Sequence, residues 1–319
     1  MSTAILIPCY NEAKTIKNVI EDFKREMPHA DIYVYDNNST DGTDKIAKEA
    51  GAIVRYEYRQ GKGNVVRSMF RDIDADCYIM VDGDDTYPAS FAPKLEKLIL
   101  DGKADMAVGD RLSSTYFTEN KRAFHNFGNV LVRKLINVIF KSKLKDIMTG
   151  ARAFNRDFIK MYSICSKGFE IETEMTIFAL ENNFKIVEEP IEYKDRIEGS
   201  ESKLNTYSDG FKVIKKIASL FMETKPFMFF SIITLLLIVI ALAFFIPVFV
   251  NFAHTGTVEK IPTIICAATL GIIAIIIFFA GVILSVLKSQ DRQNFERTYN
   301  SMRCMHNIYR EKNKNIENK

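Results

Sequence analysis

Short apolar runs alternate with amphipathic stretches through the first 190 residues. Ala4 to Tyr10 reads as a buried strand, and Asn11-Glu12 opens a helix whose apolar positions Ile16, Val19, Ile20, Phe23 and Met27 recur at helical spacing. Ile32 to Tyr35 is a second strand, ending in the polar turn Asp36 to Gly42 and a short helix over Ile46, Ala47 and Ala50. A third strand, Ala52 to Tyr56, leads through Gly61-Lys62-Gly63 into a helix carrying Val65, Val66, Met69, Phe70 and Ile73. The fourth, Cys77 to Val81, stops at once in carboxylates. A helix over Phe91, Leu95, Leu98 and Ile99 follows, then the strand Met106 to Gly109, an amphipathic helix over Asn126 to Phe140, and a last strand over Lys185 to Tyr193. Pro190 suggests that this last strand lies at an edge or bulge. The cadence predicts an α/β fold with a mainly parallel sheet covered on both faces.

Beyond residue 205 the pattern changes. Phe227 to Val250 and Ile261 to Leu287 contain no charged residue, and each exceeds the ~20 apolar residues that span a bilayer. The expected division is a catalytic domain over 1–205, an amphipathic juxtamembrane helix over 206–226 and a membrane helix over 227–250. A short external turn over 251–260, a second membrane helix over 261–287 and a basic tail over 288–319 complete it. Phe211, Ile214, Ile217, Ala218 and Phe221 share one helical face, which suits a helix lying in the membrane surface or an ordinary packing helix. Lys212, Lys215, Lys216 and Lys225 precede the first span, and Lys288 and Arg292 follow the second. That bias predicts a multi-pass protein of the cytoplasmic membrane with both large flanks cytoplasmic. Thr3 to Pro8 lacks a basic lead-in and a cleavage site, so no signal peptide is expected.

Composition removes several classes of function. A formal charge of +3 in 319 residues gives no case for nucleic acid. Five cysteines without paired spacing predict neither disulfides nor a zinc site. Neither the dinucleotide glycine fingerprint nor a phosphate-loop lysine motif is present.

In an open α/β sheet ligands bind beyond the carboxyl ends of the strands, and that edge would gather Pro8 to Glu12, Asp36 to Asp41, Gly61 to Gly63 and Asp82 to Asp85. Asp82 and Asp84, one residue apart across Gly83, suit a hard divalent cation that also takes phosphate oxygens. A calcium loop is excluded, because Tyr87 stands where glycine is needed and Pro93 where glutamate is needed. Taken alone, the stretch is equally well a solvated acidic turn, and Gly61-Lys62-Gly63 an ordinary one. Glu170, Glu172 and Glu174 are expected to face water.

Pro8-Cys9-Tyr10-Asn11-Glu12, Asp36 to Gly42, Gly61-Lys62-Gly63, Asp82-Gly83-Asp84 and Asp146 to Phe154 together resemble the family-2 glycosyltransferases of GT-A fold, over residues 3 to 205. The segment Arg196 to Lys203 followed by two apolar spans resembles the polyprenyl-phosphate group, similar to dolichol-phosphate mannose and glucose synthases. The resemblance implies a membrane enzyme that moves one sugar from a nucleotide sugar to a polyprenyl phosphate, with Mg2+ or Mn2+ as cofactor. It favours a UDP-hexose or UDP-N-acetylhexosamine, with GDP-mannose as the alternative. Pro8, Tyr10, Glu12 and Asp36 would hold base and ribose, with Asn11, Asp41, Lys62 and Gly83 also at the nucleotide sugar. Asp82 and Asp84 would take metal and diphosphate, and Arg111 the donor phosphates or sugar. Asp84, Arg111 and Asp146 are the implied catalytic set; Arg196, Ser202 and Lys203 are the implied acceptor-phosphate set. Asn37 departs from the family's commoner Asp-Asp pair and puts the base in question.

The implied chemistry needs no strong base. A phosphate monoester is largely ionised at pH 7, its second pKa being about 6, so positioning and electrostatics suffice for an in-line, inverting attack on the anomeric carbon. A processive polysaccharide synthase shares the fold, but its acceptor-site tryptophan is impossible in a chain with no tryptophan. A non-catalytic membrane scaffold remains open, and a flippase or a second copy of the chain stands as a further partner.

Overall fold

In the computed structural model, which describes residues 1–113, 123–164, 166–168, 170–194, 219, 221–258 and 260–317, the apolar runs of the amino-terminal half pair into one seven-stranded sheet of order β3-β2-β1-β4-β6-β5-β7. The strands are β1 (Thr3–Cys9), β2 (Asp31–Asp36), β3 (Ile53–Tyr56), β4 (Cys77–Met80), β5 (Met106–Asp110), β6 (Arg152–Asn155) and β7 (Ile186–Pro190). β1 runs parallel to β2 and β4, β2 to β3, and β5 to β7. Only β6 is reversed, antiparallel to both β4 and β5. The carboxyl ends of β1, β2, β4 and β5 therefore share an edge with the amino end of β6, where Cys9 pairs with Asp36 and Met80 with Arg152.

Burial explains which runs became central. β4 and β5 are buried at every position and β1 at all but Pro8, as expected of strands covered on both faces. Burying an Ile or Leu side chain there contributes ~1.5–3 kcal/mol. β3 and β7 are partly exposed edge strands, and β7 ends in Pro190, so the expected edge position holds.

The connecting helices are α1 (Ile16–Glu26), α2 (Thr43–Glu49), α3 (Lys62–Asp72), α4 (Ala92–Leu100), α5 (Ala123–Phe140), α6 (Arg156–Met161) and α7 (Ile171–Glu181). α1 begins at Ile16, later than expected, because Asn11 adopts a left-handed backbone (φ 54°) and residues 11–15 form a turn. It buries Ile16, Val19, Ile20 and Phe23, one stripe of a 3.6-residue repeat. α7 differs: it is buried almost all round, Glu172 and Glu174 included, which overturns the expectation that these glutamates face water.

The residues divide into two compact units, Met1–Val213 and Ile214–Lys319. In the second, α8 (Pro226–Thr255) and α9 (Ile261–Glu317) are each long and apolar enough to cross a membrane. Only 11% of each apolar window is buried, so neither is the core helix of a soluble domain. α8 ends at Gly256, whose φ of 69° places it in the left-handed region that terminates helices, and its N–H bonds Phe252 O at 2.8 Å. The helices meet along a seam with a seven-residue repeat: Thr234, Ala241 and Val248 on α8, Ala267, Ala274 and Gly281 on α9. Thr234 Oγ1 donates to Ala274 O across it at 3.4 Å. A Cβ on Gly281 would lie 2.6 Å from Phe230 Cβ, so the backbones approach too closely there for any side chain.

Candidate active site at the carboxyl edge of the sheet

The turns after β1 and β2 are tied into one wall. Asn11 N donates to Ser39 Oγ, and Asn11 Oδ1 accepts from Thr40 N. Glu12 N donates to Thr43 Oγ1 and Ala13 N to Asp41 Oδ2. Asp41 also accepts from the Thr43 hydroxyl and N–H; burial pushes its pKa up, but these bonds outweigh it and the net shift is downward. Its carboxylate thus serves the turn. Tyr10 is half exposed at the rim, beside the end of β1. Asp36 is buried at the end of β2, with Oδ2 accepting from Ser39 N, while Oδ1 is buried with no hydrogen-bond partner among the described residues. A carboxylate oxygen in that state is poised for a donor that a ligand supplies.

Asn37 has a structural explanation. Its amide donates to Glu57 O at 2.6 Å and Arg59 O at 2.9 Å and accepts from Gly61 N at 2.8 Å. An aspartate cannot make the first two bonds. The departure from the family's pair therefore belongs to the loop that carries Gly61.

Gly61 and Gly63 are required by a neighbouring backbone. A Cβ on Gly61 would collide with Lys167 O and one on Gly63 with Ser166 O, while Gly63 N donates to Lys167 O. Glu174 in turn accepts from Ser166 N at 2.7 Å. Lys62, between the glycines, turns inward: its Nζ lies 2.5 Å from Asp82 Oδ1 and 2.5 Å from Glu172 Oε1, with the Lys62 side chain only 8% exposed. Burial lowers its pKa, but the two carboxylates more than reverse this and the ammonium stays charged.

The acidic turn after β4 is built, not merely solvated. Gly83 lets β1 approach, since a Cβ there would sit 2.8 Å from Cys9 Sγ, and Thr15 Oγ1 donates to Gly83 O at 2.7 Å. Asp84 is buried and accepts from Thr86 N and Oγ1. Asp85 is left-handed (φ 59°). Gly150, in the loop before β6, leaves room for Asp82, whose Oδ2 a Cβ would strike. Asp82 and Asp84 fit a hard divalent cation: two oxygen donors are the set of a metal that shares its shell with phosphate oxygens. Among the described residues, no three acidic, His or Cys side chains form a closed cage.

Arg111, just beyond β5, completes the edge. Its Nε donates to Asp146 Oδ2 at 2.9 Å, Nη2 to Met148 O at 3.1 Å and Nη1 to Tyr87 OH at 3.4 Å, and its guanidinium lies over the Tyr193 ring. Asp146 is buried beneath it, also accepting from Met148 N. Glu188 accepts from Lys145 N and Asp146 N, and burial raises its pKa. The whole 146–151 loop is pinned by Arg152, fully buried, whose fork donates to Thr149 O, Ile147 O and Thr176 Oγ1.

Pro8, Tyr10, Asn11, Glu12, Asp36, Asp41, Lys62, Asp82, Gly83, Asp84, Arg111 and Asp146 thus all lie on or around one sheet edge. Arg196, Ser202 and Lys203, and the amphipathic stretch up to residue 218, lie outside the described residues. Sequence reasoning missed Glu172, Tyr87 and Arg152. An arginine inside the apolar run Ala151 to Phe154, and glutamates in a helix apolar on every side, were the available signals.

Residues 4–162 match the glycosyl transferase family 2 pattern. Glycosyltransferase AglJ of Haloferax volcanii is 34% identical over 231 residues, 72% of this chain and 75% of that protein. The dolichyl-phosphate hexose transferase of the same organism is 29% identical over 222 residues, covering 70% of this chain and 95% of that one. In structure, glucosyl-3-phosphoglycerate synthase from Mycobacterium tuberculosis, solved with Mn2+, uridine diphosphate and phosphoglyceric acid, aligns with a TM-score of 0.57 at 18% identity, over 69% of this chain and 77% of its own. That likeness carries the GT-A fold. With the sheet order, the edge carboxylates and these relatives together, the chain belongs to glycosyl transferase family 2 and is a glycosyltransferase.

Proposed function

We propose that this enzyme transfers one sugar from a nucleotide sugar, a UDP-hexose or UDP-N-acetylhexosamine, to a polyprenyl phosphate at a membrane surface, with inversion at the anomeric carbon. One observation carries the reading: the sheet edge that gathers Asp36, Asp82, Asp84 and Arg111 belongs to a chain that also bears two helices fit to span a bilayer. The relative named as a dolichyl-phosphate hexose transferase supports the acceptor class. Basic residues before the first span and after the second support a cytoplasmic site, residues 1–205, and a cytoplasmic tail.

Asp36 Oδ1 accepts a hydrogen bond from the nucleoside, the ring of Tyr10 and the Pro8 to Glu12 turn forming the adjacent wall. Asp84, with Asp82 beside it, would hold a Mg2+ or Mn2+ ion, which when bound supplies positive charge to the leaving diphosphate. Arg111 offers its guanidinium to the donor phosphates or sugar, fixed by Asp146, which acts through it. Arg196, Ser202 and Lys203 supply the cationic and hydroxyl groups for the acceptor phosphate. The acceptor oxygen arrives already ionised, so the residues orient it in line with the departing diphosphate and need not abstract a proton.

The test is a panel of labelled nucleotide sugars offered with polyprenyl phosphate to the detergent-purified chain, with and without chelator, alongside Asp84→Asn. Transfer from a UDP donor that falls at least ~100-fold in chelator and in Asp84→Asn is expected, as for loss of a main electrostatic contribution. Preference for a GDP donor overturns the donor assignment. Undiminished turnover in Asp84→Asn or in chelator overturns the metal assignment, and hydrolysis with no transfer to lipid overturns the acceptor.

A further inference from the structure

The geometry points to Glu172 as a positioning residue for the donor site, acting on Asp82 through the ammonium of Lys62. This rests on the reading of Asp82 and Asp84 as the seat of a divalent cation. Glu172 lies in the first turn of α7, 110 residues along the chain from Lys62, yet the two meet at 2.5 Å with side chains 6% and 8% exposed. The same Nζ reaches Asp82 Oδ1 at 2.5 Å. Lysine offers three hydrogens from one compact charge, so it serves both carboxylates at once.

The arrangement divides one buried cation between two anions. If Lys62 faced Asp82 alone, the pair would close into a neutral contact, and Asp82 would be less able to support a second cation beside Asp84. Glu172 draws the ammonium toward α7 and leaves Asp82 a larger share of its negative charge. It also fixes where Lys62 stands when a diphosphate arrives. Buried charges are costly unless compensated. The compensation for Glu172 is present: Arg152 is fully buried and electrostatically coupled to it, and Thr176, one turn along α7, accepts from Arg152 Nη1 and donates to Glu172 O.

A glutamate that merely glued α3 to α7 would affect stability and leave cation affinity alone. The discriminating readout is therefore binding: Mn2+ titrated calorimetrically, in the presence of uridine diphosphate, into the full chain in detergent. Glu172→Gln keeps the size and an acceptor oxygen but removes the charge; it is expected to weaken Mn2+ binding about tenfold, which corresponds to ~1.4 kcal/mol. Glu172→Asp keeps the charge and is expected to recover most of that loss. In a Lys62→Met background, Glu172→Gln should have no further effect on Mn2+ affinity, since the residue acts through the lysine. Wild-type Mn2+ affinity in Glu172→Gln overturns the inference, and so does an undiminished effect in the Lys62→Met background. A fall in thermal stability with unchanged affinity of the folded fraction overturns it too, by assigning the charge to the fold. If the wild-type chain itself binds no Mn2+ with uridine diphosphate, the metal seat at Asp82 and Asp84 fails first, and Glu172 has nothing there to position.

Discussion

Replacing Arg152 by methionine removes the buried cation that pins the 146–151 loop to β6 and α7, while leaving the apolar volume nearly filled. Three oxygen acceptors lose their donor, Thr149 O, Ile147 O and Thr176 Oγ1, and Met106 Sδ loses a weaker contact at 3.5 Å. An unpaired buried acceptor costs ~1–3 kcal/mol. Against this stands the relief of desolvating a guanidinium whose pKa burial already lowers. Three such acceptors together outweigh that relief, leaving a net loss of roughly 3–5 kcal/mol. At ~2–4 °C per kcal/mol for a domain of this size, the thermal transition of the sheet unit should fall by roughly 10 °C. Differential scanning calorimetry of the full chain in detergent reads this directly. Arg152→Lys should recover less than half, because a point charge does not reproduce a planar fork reaching three acceptors. A transition within ~2 °C of wild type in Arg152→Met would refute the reasoning, showing that the loop finds its conformation without the arginine.

Two further expectations concern other parts of the chain. The Arg59 guanidinium, against the upward push of burial and with help from the Ser68 hydroxyl, holds the Glu57 carboxyl down to about 2. A folded-state pKa below the unfolded one means stability present above ~4.5 and lost as pH falls toward about 2, worth roughly 1–2 kcal/mol once screening at the exposed Arg59 is allowed for. The stability gap between wild type and Glu57→Gln should therefore narrow from pH 5 to pH 2.5, and a constant gap would contradict it. In the helical hairpin, Gly281→Leu should force α9 off Phe230. Cross-linking between Thr234→Cys and Ala274→Cys, on facing positions of the seam, should then drop by more than half; an unchanged yield would show that the seam tolerates a side chain there.

Strand runs and the two apolar helices were legible because their pattern is set on a large scale: five consecutive apolar residues at Cys77 to Val81, and more than twenty consecutive uncharged residues, mostly apolar, at each span. The glycines of Gly61-Lys62-Gly63 could be noticed but not explained, since what demands them is the backbone of residues 166–167, a hundred positions away. Asn37 looked like a deviation touching the base, and the structure shows it tethering the loop after β3, where Glu57, Arg59 and Gly61 lie. Glu172 was assigned to water on the usual habit of glutamate. That habit yields where a buried lysine and arginine lie within reach, and no local pattern announces such a meeting.

The strand order also imposes a timetable on synthesis. β3, β2, β1 and β4 are neighbours in that order on one side of the sheet, so their mutual pairings can all form once Met80 has left the ribosome. β5 has no neighbour among them: its partners are β6 and β7, both later in the chain. Until Arg152–Asn155 emerges, the outer side of β4 is an unpaired edge with apolar residues on both faces, a template for wrong pairing. At ~5–20 residues per second the exposure lasts several seconds. The reversed strand β6 is thus the piece that joins β4 to β5, and because Arg152 opens it, the act that joins them also sets the loop of Asp146 in place.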